Sequence, residues 1–411
     1  MKPKILGMIM AGGKGERLYP LTKDRTKPAV PFGGKYRLVD FVLSNFLNSG
    51  IYALYILTQF KAQSLIEHLQ GGWQLGQVMR DHFIVTVPAQ MRLGESWYKG
   101  TADAIYQNLN LIERFKPDIV AVFGADHIYR MDIRQMVKFH VKNNAAVTVA
   151  AVPVPIKQAS QLGIIDVEKD GLITGFQEKP KKSHSIPGRP NEALASMGNY
   201  LFNTKVLMRE LKENALRKES KHDFGKDVIP ALYQKKRVFA YDFEENKIPG
   251  EESSKETGYW RDIGTIENYY QANMDLRAIT PSFNLYNPRW PIKTTSYTEL
   301  PPAKFVFNQH GRQGAALNSI ICEGSIVSGG EIKDSVVGRN VFIHSYSEIN
   351  QSILMDNIDV GRHARITHTI IDKNVKIPEG TVIGYNLEED RKKYHVSPEG
   401  IIVIPRTEPK D

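Results

Sequence analysis

An α/β architecture in two parts is what the 411-residue sequence predicts: a Rossmann-like, mixed and mostly parallel sheet with helices on both faces, followed by a C-terminal left-handed parallel β-helix. Three observations carry it. Through about residue 280, short apolar runs alternate with amphipathic segments, the pattern of strands joined by crossover helices. Within that region Ile164–Val167 and Leu172–Phe176 flank Lys169-Asp170-Gly171 and read as an antiparallel hairpin, so the sheet is mixed. In the tail, Ile or Val returns about every six residues with Gly, Asn or Asp between, as in coils that bury one apolar side chain per face.

Ile5–Met10 is the expected first strand. Its apolar run could pass for a secretory leader, but it leads directly into Gly13, Lys14, Gly15, Glu16 and Arg17 without a cleavage site, so it reads as buried sheet. Arg37–Asn48 places Leu38, Val39, Val42, Leu43 and Phe46 on one helical face, and Gly50 suits the stop. Ile51–Leu57 then reads as a strand, Gln63–Leu69 as a helix and Asp118–Gly124 as another buried strand. From about Thr280 to Phe307 the periodicity gives way to Pro, Asn and Trp, a linker wrapping over a surface. The expected divisions are a catalytic domain over 1–280, a linker over 281–306 and the β-helix over 307–411. A small β-sandwich is the rival reading of the tail, but its turns come too often for sandwich strands.

Hydrophobic residues make up 41% and charged residues 24%, an ordinary globular balance. No apolar run approaches the roughly 18 residues that span a bilayer, so no membrane partner is expected. The only cysteine, Cys322, excludes an internal disulfide and fits a reducing cytoplasm. The net charge of +9 is scattered and lacks the interleaved aromatics that stack bases, so nucleic acid is not the expected partner. A field of this sign equally attracts small polyanions such as nucleotides and sugar phosphates.

The run Ala11, Gly12, Gly13, Lys14, Gly15, Glu16, Arg17 carries the strongest chemical signal. A strand ending in a glycine-rich turn offers backbone N–H groups to an anion with no side chain in the way. Arg17 can add a bidentate grip on phosphate oxygens and Lys27 a point charge. The turn lacks the Gly-Lys-Ser/Thr ending of a Walker loop and the glycine spacing of a dinucleotide fold, and alone it fits a mere tight turn as well. Asp126 follows the apolar run Ile119–Gly124, at the carboxyl end where open α/β sheets hold ligands; alone it would be a turn former. Asp262 stands just before a helix start at Thr265, where it would also complement the helix dipole. Together two such carboxylates can hold Mg²⁺ alongside phosphates.

The ordered string Gly12, Gly13, Gly15, Arg17, Pro20-Leu21-Thr22 and Lys27-Pro28-Ala29 resembles the signature of the sugar-phosphate nucleotidylyltransferases. Gly33-Gly34, Arg37 and Asp40 narrow the resemblance to the ADP-glucose-forming branch. It runs on through Pro88-Ala89-Gln90, Gly100-Thr101-Ala102-Asp103, Asp126-His127, Glu178-Lys179-Pro180, Ser196, His222–Asp227, Tyr259–Thr265 and Pro301–Phe305. The resemblance implies a Mg²⁺-dependent reaction of ATP with glucose 1-phosphate, giving ADP-glucose and pyrophosphate as the committed step of glycogen synthesis. It implies that Arg17, Lys27 and Asp126 are catalytic and that Asp126 and Asp262 hold the metal. Tyr98, Gly163, Glu178, Lys179 and Ser196 would surround glucose 1-phosphate. Ala11, Gly12, Gly13, Gly15, Gln59, Gln90, Gly100, Thr101 and Ala102 would surround the nucleotide. The Gly100 segment points to adenine by analogy, while physics alone leaves uridine or thymidine nucleotides open. No general base need be sought, because a phosphomonoester with a second pKa of about 6 is already mostly dianionic at neutral pH. Catalysis then consists of charge neutralisation and in-line alignment.

The resemblance also implies a homotetramer with sites for small anionic allosteric effectors between the domains, where Arg25 and Arg37 fall at positions resembling effector contacts. Asp24 stands where members activated by fructose bisphosphate carry lysine, so an altered effector response is expected. The histidines form no zinc-like set; His363 and His368 sit at repeat corners. A regulatory subunit without turnover is the alternative from another class, and the intact Arg17, Lys27, Asp126, Lys179 and Asp262 speak against it.

Overall fold

The computed structural model describes residues 2–76, 81–92, 94, 96–251, 258–296, 299–307 and 312–406. Residues 297–298 of the expected linker, and 308–311 and 407–411 of the expected C-terminal domain, lie outside them. Ile5–Met10 runs through the middle of a mixed sheet, parallel to Ala53–Thr58 on one side and to Ile119–Gly124 on the other. Phe83–Pro88 extends the parallel part beyond Ala53–Thr58. Past Ile119–Gly124 the long strand Glu192–Asn203 turns the sheet antiparallel. It pairs with Val147–Pro155 and touches Gly163–Val167, which forms the expected hairpin with Ile173–Glu178.

Alternate side chains of the central strands enter two separate cores. Leu6, Met8, Val120 and Val122 belong to one, and Ile9, Ala121 and Phe123 to the other. A sheet covered on both faces accounts for strands that read as apolar throughout. The helix Leu38–Asn48 packs Val39, Val42, Leu43 and Phe46 against the second core, with Phe46 edge-on to Phe123 at 5.0 Å. Leu38, expected on that same face, instead joins Phe41 in a third core toward the C-terminal domain. The helix has apolar cover on two sides, so a one-face reading of its pattern was too narrow.

The tail forms three parallel sheets, each built from successive coils. The coil from Ile320 to Val336 is 16 residues long and the next two are 17, as in the corner ladder Asn340, Asn357, Asn374, linked amide to amide at 3.0 and 3.1 Å. Three faces to such a coil give the six-residue rhythm of the sequence. All three asparagines have positive φ (52°, 58° and 61°), a conformation that Asn tolerates better than most residues. His363 and His368 occupy corners of the same kind. Inside, Ile332, Ile349, Ile366 and Ile383 stack in register. The first paired strand of the solenoid is Lys304–Phe305, inside the stretch expected as linker. The segment before it is fastened to helix Leu38–Asn48: the Trp290 indole and Asn45, the Asn48 amide and the Pro291 carbonyl, and the Lys293 N–H and Ser44 Oγ are bonded pairs.

The domains share the third core. Val336, Ile353 and Ile370, one per coil, face outward from the solenoid and pack with Ile266, Tyr269 and Tyr270 of helix Ile266–Leu276. Within this boundary Arg25 donates to both carboxylate oxygens of Asp372 at 2.6 and 2.5 Å, and both side chains are buried. Removing one member of such a pair strands the other's charge. Asp372→Ala is expected to cost about 3–5 kcal/mol in urea denaturation. The apolar double replacement Arg25→Met with Asp372→Leu is expected to recover most of that loss.

Candidate active site

The carboxyl ends of the parallel strands, at Met10, Leu57 and Gly124, open into a cleft of about 540 Å³, a size that suits a small-molecule ligand. Of the expected site residues, Gly12, Gly13, Gln59, Tyr98, Gly100, Thr101, Asp126, Gly163, Glu178, Lys179 and Ser196 line this one cleft. At its edge the Lys27 ammonium donates to Asp126 Oδ2 at 2.8 Å and to Asp262 Oδ1 at 3.2 Å. Local bonding explains why Lys27 is there. It opens a short helical turn whose preceding residue, Thr26, has its hydroxyl within reach of the Ala11 and Gly13 carbonyls, 3.2 and 3.3 Å away. Asp262 arrives on the strand Trp260–Asp262, paired antiparallel with His127–Tyr129 so that Asp262 stands opposite His127.

Burial works against both charges, but their proximity prevails. It would raise the Asp126 carboxyl, yet the Lys27 ammonium and His127 hold it well below the usual carboxylate range. It would likewise lower Lys27, and the two aspartates push it above the usual lysine range instead. Asp126, Asp262 and His127 each bring one ligand atom to within 4.8 Å of the others, and His127 Nε2 is 3.6 Å from both Asp126 Oδ1 and Asp262 Oδ1. Converging carboxylate oxygens of this kind fit a divalent metal ion.

On the flank across the cleft, Glu178 ends its strand and Lys179 takes a positive φ of 50°, a strained conformation for a lysine and one that clusters at functional sites. A side chain at Gly163 or at Gly225 would place its Cβ 2.8 Å from Glu178 Oε2, so both glycines make room for that carboxylate. Burial, and then Asp223, raise the Glu178 carboxyl above its ordinary value. On the other flank the Gln59 carboxamide accepts from the Tyr98 N–H at 2.8 Å, holding that loop. The Tyr98 hydroxyl accepts from Asn108 Nδ2 at 2.9 Å.

Other expected residues stand outside the lining. Arg17 is exposed in a one-turn helix beside Asp262; a Cβ on Gly264 would meet both, at 3.0 and 2.9 Å. Ala11 is buried and its N–H bonds to the Leu57 carbonyl. The Ala102 N–H bonds to His222 O, so it is engaged by the protein itself. Gly15 lies against Lys27 and Thr22, and Gln90 is exposed outside the cleft. Arg25 is in the domain boundary with Asp372, and Arg37 caps helix Leu38–Asn48 while donating to the Ser64 carbonyl at 2.5 Å.

Several lining residues were not singled out from the sequence: His127, Trp260, Gly198, Asp223 and Gly225. Asp223 accepts from the Thr101 hydroxyl at 3.0 Å and caps the turn Phe224–Val228. The histidines were given no role in the site from the sequence, and His127 stands in its lining beside Asp126 and Asp262. Its neighbour Asp126 was the available signal, and only the pairing with Trp260–Asp262 reveals the third member.

Residues 6–279 match the nucleotidyl transferase family, and residues 301–404 match the GlmU-like C-terminal hexapeptide family, whose coils agree with a left-handed β-helix. The glucose-1-phosphate adenylyltransferase of Thermus thermophilus is 57% identical over 99% of both chains. That of Anaeromyxobacter sp. is 53% identical, and glucose-1-phosphate adenylyltransferase 1 of Vibrio parahaemolyticus 51%, each over 98% of both chains. The chain belongs to the nucleotidyl transferase family, among its glucose-1-phosphate adenylyltransferases.

The charge cluster has a definite pH signature. Asp126, depressed in the fold, contributes stability above the ordinary carboxylate pKa of about 3.9 and loses it only as pH falls through its lower native value. Lys27, raised in the fold, contributes below the ordinary lysine pKa of about 10.4 and loses it as pH rises through its higher native value. Lys27→Met leaves burial as the main influence on Asp126. Its carboxyl, followed by ¹³C NMR, is expected to titrate at clearly higher pH than in the wild-type protein.

Proposed function

We propose that the chain joins ATP and glucose 1-phosphate to form ADP-glucose and pyrophosphate. The observation carrying this reading is the Lys27–Asp126–Asp262 cluster at the carboxyl ends of parallel strands, in a cleft with two chemically different flanks. Both substrates are anions, so their approach must be made electrostatically tolerable before any bond forms. Asp126 and Asp262 would hold Mg²⁺, which would supply charge neutralisation at the reacting phosphates. The Gly12–Gly13 turn and Arg17 hold the triphosphate, and Lys27 stands by the metal-binding carboxylates. Lys179 pairs with the sugar phosphate, and Glu178 accepts hydrogen bonds from sugar hydroxyls. A phosphate oxygen of the sugar then attacks the α-phosphorus, the bond to the β,γ-pyrophosphate breaks, and no protein base is required.

The same family reading supports a cytoplasmic homotetramer, feeding glycogen synthesis and responding to small anionic effectors. For the effectors a structural detail bears on the expectation: Asp24 accepts from Arg406 Nε at 3.1 Å, so an acid and a base from opposite domains are paired. Asp24→Lys exchanges that pair for two cations. The variant is expected to gain activation by fructose bisphosphate in steady-state assays; equal, strong activation of wild type and variant would refute the altered response.

The decisive assay is pyrophosphate release with glucose 1-phosphate and Mg²⁺, comparing ATP, UTP and dTTP, for wild type and Asp126→Ala. Release with ATP alone, reduced at least about a thousandfold by the substitution, is expected. Release with UTP or dTTP would overturn the base assignment and keep the chemistry. No release with any nucleotide would favour a regulatory subunit.

A further inference from the structure

The placement of His127 in the cleft is not explained by hydrogen bonds of its ring. Nδ1 is buried and has no partner among the described residues. Nε2 lies 3.6 Å from Asp126 Oδ1 and 3.6 Å from Asp262 Oδ1, beyond hydrogen-bond distance from either. Packing holds the ring: it stands edge-on to Trp260 with centroids 5.2 Å apart, and the backbone pairing sets His127 opposite Asp262. Two glycines, Gly124 and Gly198, border it; a Cβ at either would reach van der Waals contact with the imidazole at 3.7–3.8 Å.

The two distances from His127 Nε2 to the carboxylate oxygens, 3.6 Å each, are those of ligands sharing one ion. Donors about 2.1 Å from one ion, at 90–120° to each other, lie about 3.0–3.6 Å apart. Asp126 divides its oxygens accordingly, with Oδ2 toward the Lys27 ammonium and Oδ1 toward His127. We propose that His127 supplies a nitrogen ligand through Nε2, making the metal site a mixed set of two carboxylates and one imidazole. This rests on the reading of Asp126 and Asp262 as metal ligands given above. Imidazole binds Mn²⁺, Co²⁺ and Zn²⁺ in preference to Mg²⁺, which favours oxygen ligands. The site is therefore more tolerant of transition metals than two carboxylates alone would be.

The test titrates Mn²⁺ alone into the full-length protein and follows the free-ion signal by electron paramagnetic resonance. Pulsed measurements on bound Mn²⁺ report imidazole nitrogen directly. Wild type is expected to show imidazole ¹⁴N modulation, and His127→Asn to lose it and bind Mn²⁺ about tenfold more weakly. Mg²⁺ affinity, measured by competition with Mn²⁺, is expected to change less. Asp262→Asn identifies the site by abolishing the binding. Binding that is lost in Asp262→Asn, but shows no nitrogen modulation and is unchanged in His127→Asn, overturns the role of His127 and leaves the two-carboxylate site standing. Absence of any binding sensitive to Asp262→Asn overturns both. The nitrogen signal of the wild-type protein decides the matter even if the His127 variant folds poorly.

Discussion

Three consecutive side chains, Arg25, Thr26 and Lys27, reach into three different parts of the molecule. Arg25 is bound to Asp372 of the solenoid, Thr26 to the carbonyls of the glycine-rich turn, and Lys27 to Asp126 and Asp262. Each bond fixes the position from which the next is made. Two half-buried carboxylates so close together repel. The Lys27 ammonium makes their proximity tolerable, and it stays in place because its backbone is fastened on both sides. Glycine turn, charge cluster and domain boundary are therefore one connected piece of structure.

The connection runs through rigid elements. Helix Ile266–Leu276 follows Asp262 by a few residues, starts from a Thr265 cap and packs on the apolar ridge of the solenoid. A shift at the domain boundary would reach the aspartate along this helix and the lysine along the Arg25–Lys27 segment. Coupling of that kind needs two packings of comparable stability as well as a physical link. The link is what these residues provide.

Much of this was legible in the sequence because it rests on local pattern. The alternation of apolar runs located the central strands to within two residues, and the Lys169–Gly171 turn located the hairpin. Repeating Ile and Val positions with Asn corners located the solenoid, since every coil must satisfy the same geometry. The resemblance named eleven of the 26 residues that line the cleft, among them Asp126, Glu178 and Lys179. What escaped depends on contacts between distant segments. The second apolar side of helix Leu38–Asn48 has meaning only once the solenoid covers it. His127 was only a member of the Asp126-His127 motif until Trp260–Asp262 paired with it. Arg25 gave no sign that its charge would be matched by Asp372, 347 positions away.

The 17-residue coil also governs how genes for such a domain can change. Deleting or inserting one residue inside a strand would turn the inward Ile of that coil toward water, whereas a corner absorbs such a change: Ile320 and Val336 are paired 16 residues apart and Val336 and Ile353 17 apart, in one register. A whole coil added or removed leaves each face in phase. Length in this part of the chain is thus expected to vary either by whole coils or by single residues at the corners, where the backbone already leaves the sheet.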